Sequence, residues 1–95
     1  MKAQMFNYNQ WIPDTNPDTL KKTYTEMLEK SGFNIIKMIE HYFEPQGYTA
    51  LFLLAESHFA IHTFPEESKT YLELSSCVEK QFNAFVLSHE GCKID

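Results

Sequence analysis

Tyr48-Thr49-Ala50-Leu51-Phe52-Leu53-Leu54-Ala55-Glu56-Ser57-His58-Phe59-Ala60-Ile61-His62-Thr63-Phe64 is the stretch that decides how this chain folds. Its first part, Tyr48 to Ala55, is apolar at nearly every position, which is the pattern of a strand buried on both faces. Its last part, His58 to Phe64, reads as a second strand, and Pro65-Glu66-Glu67-Ser68 closes it with a turn. Glu56-Ser57, an acid followed by a small hydroxyl residue, stands where one strand gives way to the next.

Upstream, Asn34 to Phe43 carries Ile35, Ile36, Met38 and Ile39 and reads as a strand ended by the turn Glu44-Pro45-Gln46-Gly47. Before it, Asn16-Pro17-Asp18 starts a helix: Asn16 caps, Pro17 loses no needed donor, and Asp18 faces the positive helix end. Leu20, Tyr24, Met27 and Leu28 form its apolar stripe, and Gly32 suits a left-handed stop. Lys2 to Ile12 mixes aromatic and amide side chains and reads as a first strand. Downstream, Lys69 to Ser75 alternates, with Leu72 and Leu74 opposite Tyr71 and Glu73. Val78, Phe82, Phe85 and Val86 then recur at helical spacing in a segment that Gly91 is expected to end.

The order β-α-β-β-β-α predicts an α+β fold, a two-layer α/β sandwich with an antiparallel sheet and both helices on one face. Residues 1–95 make one domain. A strand as apolar as Tyr48–Ala55 needs cover on its second face, and so small a domain has no element left to supply it. A second copy would, so the expectation is a homodimer with sheets packed face to face.

The 95 residues carry a formal charge of -5 and offer no basic stripe, which argues against nucleic-acid binding. No apolar run reaches the roughly 18 residues a membrane-spanning helix needs, and Met1-Lys2-Ala3-Gln4-Met5 opens no signal-peptide pattern. The expectation is a cytoplasmic protein without membrane attachment, whose cysteines, Cys77 and Cys92, are free thiols. The histidines and cysteines lack the spacing of a closed zinc site, so no metal is expected.

Ser57 can do unusual chemistry without any external group. A serine hydroxyl close to its own preceding carbonyl can attack it and convert amide to ester. Removal of the serine alpha proton by a base then opens the ester by beta-elimination. Hydrolysis of the resulting dehydroalanine leaves a pyruvoyl group on the new N-terminus and releases ammonia.

Five islands, in order and with compatible gaps, give this possibility a family. Phe43-Glu44-Pro45-Gln46-Gly47, Ala55-Glu56-Ser57-His58, Ile61-His62-Thr63, Pro65-Glu66 and Cys77 together resemble the prokaryotic S-adenosylmethionine decarboxylase proenzymes, which are pyruvoyl-dependent. The resemblance covers roughly Asn16 to Cys77. It implies self-cleavage between Glu56 and Ser57, giving a β chain of residues 1–56 and an α chain of residues 57–95. Ser57 would become the pyruvoyl cofactor, His62 the processing base and Cys77 the acid that reprotonates the substrate alpha carbon. Thr49 stands where relatives commonly place a serine that assists cleavage. Phe43 and Phe64 match aromatics that flank the ligand, and Glu66 matches an acid that takes the ribose hydroxyls. The implied function is decarboxylation of S-adenosylmethionine for polyamine synthesis.

The chain departs from the family at Val78, where glycine is usual, in lacking the usual leucine-tyrosine-glycine-cysteine stretch near its start, and in stopping at Asp95, short of a final strand. Two alternatives accompany the reading: a pyruvoyl decarboxylase of ornithine or arginine, and a non-processing relative that binds a ligand or partner.

Overall fold

The computed structural model describes residues 3–92, with the side chain of Cys92 outside that description. Five strands and two helices run in the order β1 (Phe6–Ile12), α1 (Pro17–Lys30), β2 (Ile35–Tyr42), β3 (Tyr48–Leu54), β4 (Ser57–Phe64), β5 (Lys69–Ser76) and α2 (Glu79–Cys92). A single turn of 3-10 helix, Pro65–Glu67, joins β4 to β5. The strands form one sheet in the order β1-β5-β4-β3-β2, antiparallel at every step. The expected α+β sandwich is the observed one.

Alternation of side chains sorts this sheet into two faces. Tyr48, Ala50, Phe52 and Leu54 of β3, Phe59 and Ile61 of β4, and Leu72 and Leu74 of β5 are buried together with Leu20, Tyr24 and Leu28 of α1 and Phe85 of α2. Both helices therefore cover the same face. An aromatic knot ties the layers: Phe59 stands 5.4 Å, centroid to centroid, from both Tyr24 and Phe85. Such pairs add about 1 kcal/mol each beyond the area they bury. His89 of α2 is buried there too, with Tyr8 Oη 2.9 Å from its Nδ1 and Tyr24 Oη 2.8 Å from its Nε2. The Tyr8 hydroxyl donates to Glu90, so it accepts from the His89 Nδ1–H.

The local signals act as expected over α1. Asn16 Oδ1 accepts from the Thr19 N–H at 3.0 Å, and Gly32 takes φ +101° just past the helix. Gly91 does not end α2, which runs on to Cys92. A glycine stops a helix by turning left-handed itself, as Gly32 does, and Gly91 takes no positive φ. The first strand begins at Phe6; Lys2 lies outside the described residues. The fourth begins at Ser57, one residue before the expected start. Among the described residues, no helix is long and apolar enough to cross a membrane.

Among the described residues, no element covers the opposite face of the sheet. Leu51 and Leu53 of β3 are 43% and 51% exposed, and Ile39 of β2, their neighbour in the ladder, is 63% exposed. Within one chain β3 is thus buried on one face only, which leaves an apolar patch at the centre of the sheet.

Candidate active site

The β3–β4 hairpin turns in two residues, Ala55 and Glu56, since Leu54 pairs with Ser57. Glu56 adopts φ +62°. Glycine or asparagine is usual at such a position, and a branched-off side chain there costs on the order of 1 kcal/mol. The ladder on both sides therefore holds Glu56, the residue before Ser57, in a left-handed conformation.

Cys77, just past β5, grips the carbonyl of that peptide. Its N–H donates to Glu56 O at 3.4 Å, and its Sγ stands 3.3 Å from the same oxygen and 3.5 Å from Glu56 Oε1. Partial desolvation, then the hydrogen bond and charge of the Glu56 carboxylate, push the thiol above its ordinary pKa. The shift favours the thiol over the thiolate, the form that a proton donor needs. Two donors on one carbonyl oxygen also polarise that carbonyl towards attack.

Ser57 faces the helices and is only 7% exposed. Its hydroxyl donates to Ser76 Oγ at 2.6 Å, and Ser76 Oγ also accepts from the Val78 N–H at 2.9 Å. Ser57 and Ser76 are directly opposed in the β4–β5 ladder. The structure thus gathers Glu56, Ser57, Ser76 and Cys77 at one end of the sheet.

Thr49 and His62 lie at the other end. They are opposed in the β3–β4 ladder, with Thr49 Oγ1 3.3 Å from His62 Nδ1. His62 sits on the same strand as Ser57 rather than on a neighbouring one. Five residues separate them, about 16 Å along the strand, and the odd number puts their side chains on opposite faces. One chain therefore does not bring His62 to Ser57.

Two hollows flank the Thr49–His62 pair on the open face. One, of about 360 Å³, is lined by Trp11, His62, Phe64 and Tyr71; Trp11 lies 5.8 Å from Phe64 and 5.1 Å from Tyr71. The other, smaller at about 140 Å³, includes His41, Phe43, Thr49 and Leu51. Phe43 is 49% exposed and meets His41 edge-on at 4.5 Å. The loop that presents it is closed by a Phe43 N–H to Gly47 O bond of 2.8 Å, with Gly47 at φ +115°. Glu66 is exposed on the 3-10 turn after Phe64.

Ser76, Trp11 and Tyr71 are the additions that sequence reasoning did not single out. Ser76 was within reach of it. With Leu72 and Leu74 inward, parity places residue 76 inward, opposite the start of the hairpin strand. Trp11 and Tyr71 lie on strands distant in sequence, and only the β1–β5 register brings them together.

A sequence profile described as S-adenosylmethionine decarboxylase matches residues 9–89. Among curated relatives, the S-adenosylmethionine decarboxylase proenzyme of Prochlorococcus marinus (strain MIT 9313) is 43% identical over 58 residues, which are 61% of this chain and 46% of that protein. The proenzyme of Geobacillus kaustophilus (strain HTA426) is 37% identical over 60 residues, 63% of this chain and 48% of its own length. The matched stretch thus spans about half the length of these relatives. The crystal structure of the adenosylmethionine decarboxylase from Aquifex aeolicus VF5 superposes with a TM-score of 0.69 at 17% identity, over 92% of this chain and 81% of that one. That likeness supports the fold, and the profile match, over more than four fifths of the residues, places the chain in the S-adenosylmethionine decarboxylase family.

Proposed function

We propose that this chain cuts itself between Glu56 and Ser57 and serves as a pyruvoyl-dependent decarboxylase of S-adenosylmethionine, in the route to polyamines. The observation that carries the reading is the left-handed Glu56 directly before the Ser57 hydroxyl, with the Cys77 N–H and thiol both donating to the Glu56 carbonyl. These residues fit the formation of a pyruvoyl group at position 57, which needs a serine, a polarised preceding carbonyl and a base. A pyruvoyl group there supplies a ketone that takes the substrate amine and draws off the electrons left as carbon dioxide departs.

His62, the base that the resemblance implies, does not reach Ser57 within a single chain, and a second copy supplies it. With two sheets face to face about a two-fold axis across the strands near Ala60, the Ser57 end of each β4 lies over the His62 end of the other. Residues 57 and 62 are nearly equidistant from Ala60, a buried small residue beside Leu51 and Leu53. The Ser57 side chain points to the helices, so its alpha hydrogen leans to the open face, from which His62 of the partner subunit approaches. Burial of Ile39, Leu51 and Leu53 drives the association. Thr49 orients His62 through its Nδ1, and Cys77 holds at Sγ the proton that the substrate alpha carbon receives. Phe43 and Phe64, with Trp11 beside the latter, offer aromatic faces to adenine and to the sulfonium cation. Glu66 offers a carboxylate to the ribose hydroxyls.

Intact mass spectrometry tests the reading. Purified protein is expected as two fragments meeting at Glu56/Ser57, the larger-numbered one lacking an N-terminal amine. A single uncut mass after prolonged incubation overturns it. Release of carbon dioxide from S-adenosylmethionine, measured against ornithine and arginine, tests the substrate. A chain that stays monomeric favours a different reading, a non-processing binding protein, since His62 then never reaches Ser57.

A further inference from the structure

From the geometry we infer that Ser76 is a positioning residue for self-cleavage, holding the Ser57 hydroxyl for attack on the Glu56 carbonyl; this rests on the self-processing reading above. Ser76 occupies the inward position that follows Leu72 and Leu74 on β5 and is fully buried. An apolar side chain would suit that layer, and a buried hydroxyl is costly there unless its hydrogen bonds are made. Its oxygen accepts twice: from the Val78 backbone N–H at 2.9 Å and from the Ser57 hydroxyl at 2.6 Å.

Each bond has a distinct consequence. Val78 N–H ties Ser76 Oγ to the backbone at the entry to α2, so the acceptor is fixed in place. Accepting from Ser57 draws the hydroxyl hydrogen towards residue 76 and leaves the lone pairs of Ser57 Oγ directed elsewhere. Next along the chain, Cys77 holds the carbonyl oxygen of Glu56 through both N–H and Sγ. Consecutive residues thus hold the nucleophilic oxygen and the electrophile, one through each side of the turn after β5. In the step they serve, Ser57 Oγ bonds to the Glu56 carbonyl carbon and the carbon–nitrogen bond breaks. The hydroxyl proton ends on the Ser57 nitrogen, giving an ester and a free amine.

The test follows cleavage by intact mass over time in wild type, Ser76→Ala and Ser76→Thr, with and without neutral hydroxylamine, which cuts an ester at Glu56 but not an amide. Circular dichroism and thermal unfolding verify folding, and Ser76→Cys, close in shape, replaces Ser76→Ala if that variant does not fold. Expected is at least a tenfold slower cut in Ser76→Ala, no fragment released by hydroxylamine, and a near-normal rate in Ser76→Thr, which keeps the hydroxyl. A loss caused only by loosened packing would not be rescued by threonine. Wild-type rates in Ser76→Ala overturn the inference. So does equal slowing in both variants, or an ester that builds up in Ser76→Ala, which would place the residue in the elimination step instead. An uncut wild type sinks the self-processing reading, and this inference with it.

Discussion

The two ends of β4 are built on opposite terms. At the Ser57 end, Ser57 and Ser76 are buried and hydrogen-bonded to each other, while Glu56, with its positive φ, and Cys77 are exposed beside them. At the His62 end they are half-exposed, joined by one long contact to Thr49, and bordered by aromatic hollows. The first is a site that nearly completes itself; the second is a set of groups facing outward. His62, the base proposed for Ser57, lies about 16 Å from it on the other face of the sheet, an arrangement that suits half of a site shared between two copies.

The sharpest way to break that comparison is to mix variants. His62→Ala and Ser57→Ala are each expected to remain uncut alone, with His62→Ala halted at the ester. Unfolded and refolded together, they should yield cut His62→Ala chains, because the Ser57→Ala partner brings an intact His62. Mass spectrometry reads the outcome, and an uncut mixture would mean the two ends do not meet across subunits.

Truncation on the two faces of the sheet should differ next. Phe59→Ala removes the centre of the aromatic knot and is expected to cost about 3–5 kcal/mol in urea unfolding. Leu53→Lys, on the open face, should cost folding of one chain under about 1 kcal/mol but shift the protein from dimer to monomer in sedimentation. Equal effects on unfolding from both would argue that the open face is not an interface.

The smallest effect concerns the Cys77 thiol. Glu56 raises its pKa through a hydrogen bond and through charge. In an uncut Ser57→Ala background, Glu56→Gln removes the charge and should lower the pH at which thiolate absorbance rises. An unchanged titration would mean that desolvation alone holds the thiol up. The sign carries to activity: proton delivery from Cys77 persists below its raised pKa and fades as pH climbs through it.

Much of this was legible in the chain, for identifiable reasons. The Asn16-Pro17-Asp18 start and the Leu20–Leu28 stripe specify α1 locally, since capping and period need no distant partner. The apolar run of β3 declared a second face in need of cover, and the fold leaves Leu51 and Leu53 bare as that reading requires of one chain. What spacing along the chain could not convey was distance in space. His62, five residues after Ser57, looked like a neighbour, yet an extended strand carries those five residues away and turns the last to the far side. Gly91 was misjudged because the sequence names a residue that is able to turn left-handed, while the conformation it takes decides whether the helix stops there.

Strand order has one more consequence. A chain severed after Glu56 divides the sheet unevenly: β1, β2 and β3 belong to the first piece, β4 and β5 to the second. In space β5 and β4 stand between β1 and β3. The second piece is therefore sandwiched within the first, paired along seven residues of β1 on one side and six of β3 on the other. Neither product can drift off without unzipping two ladders at once, so the cut changes connectivity while leaving the architecture interlocked.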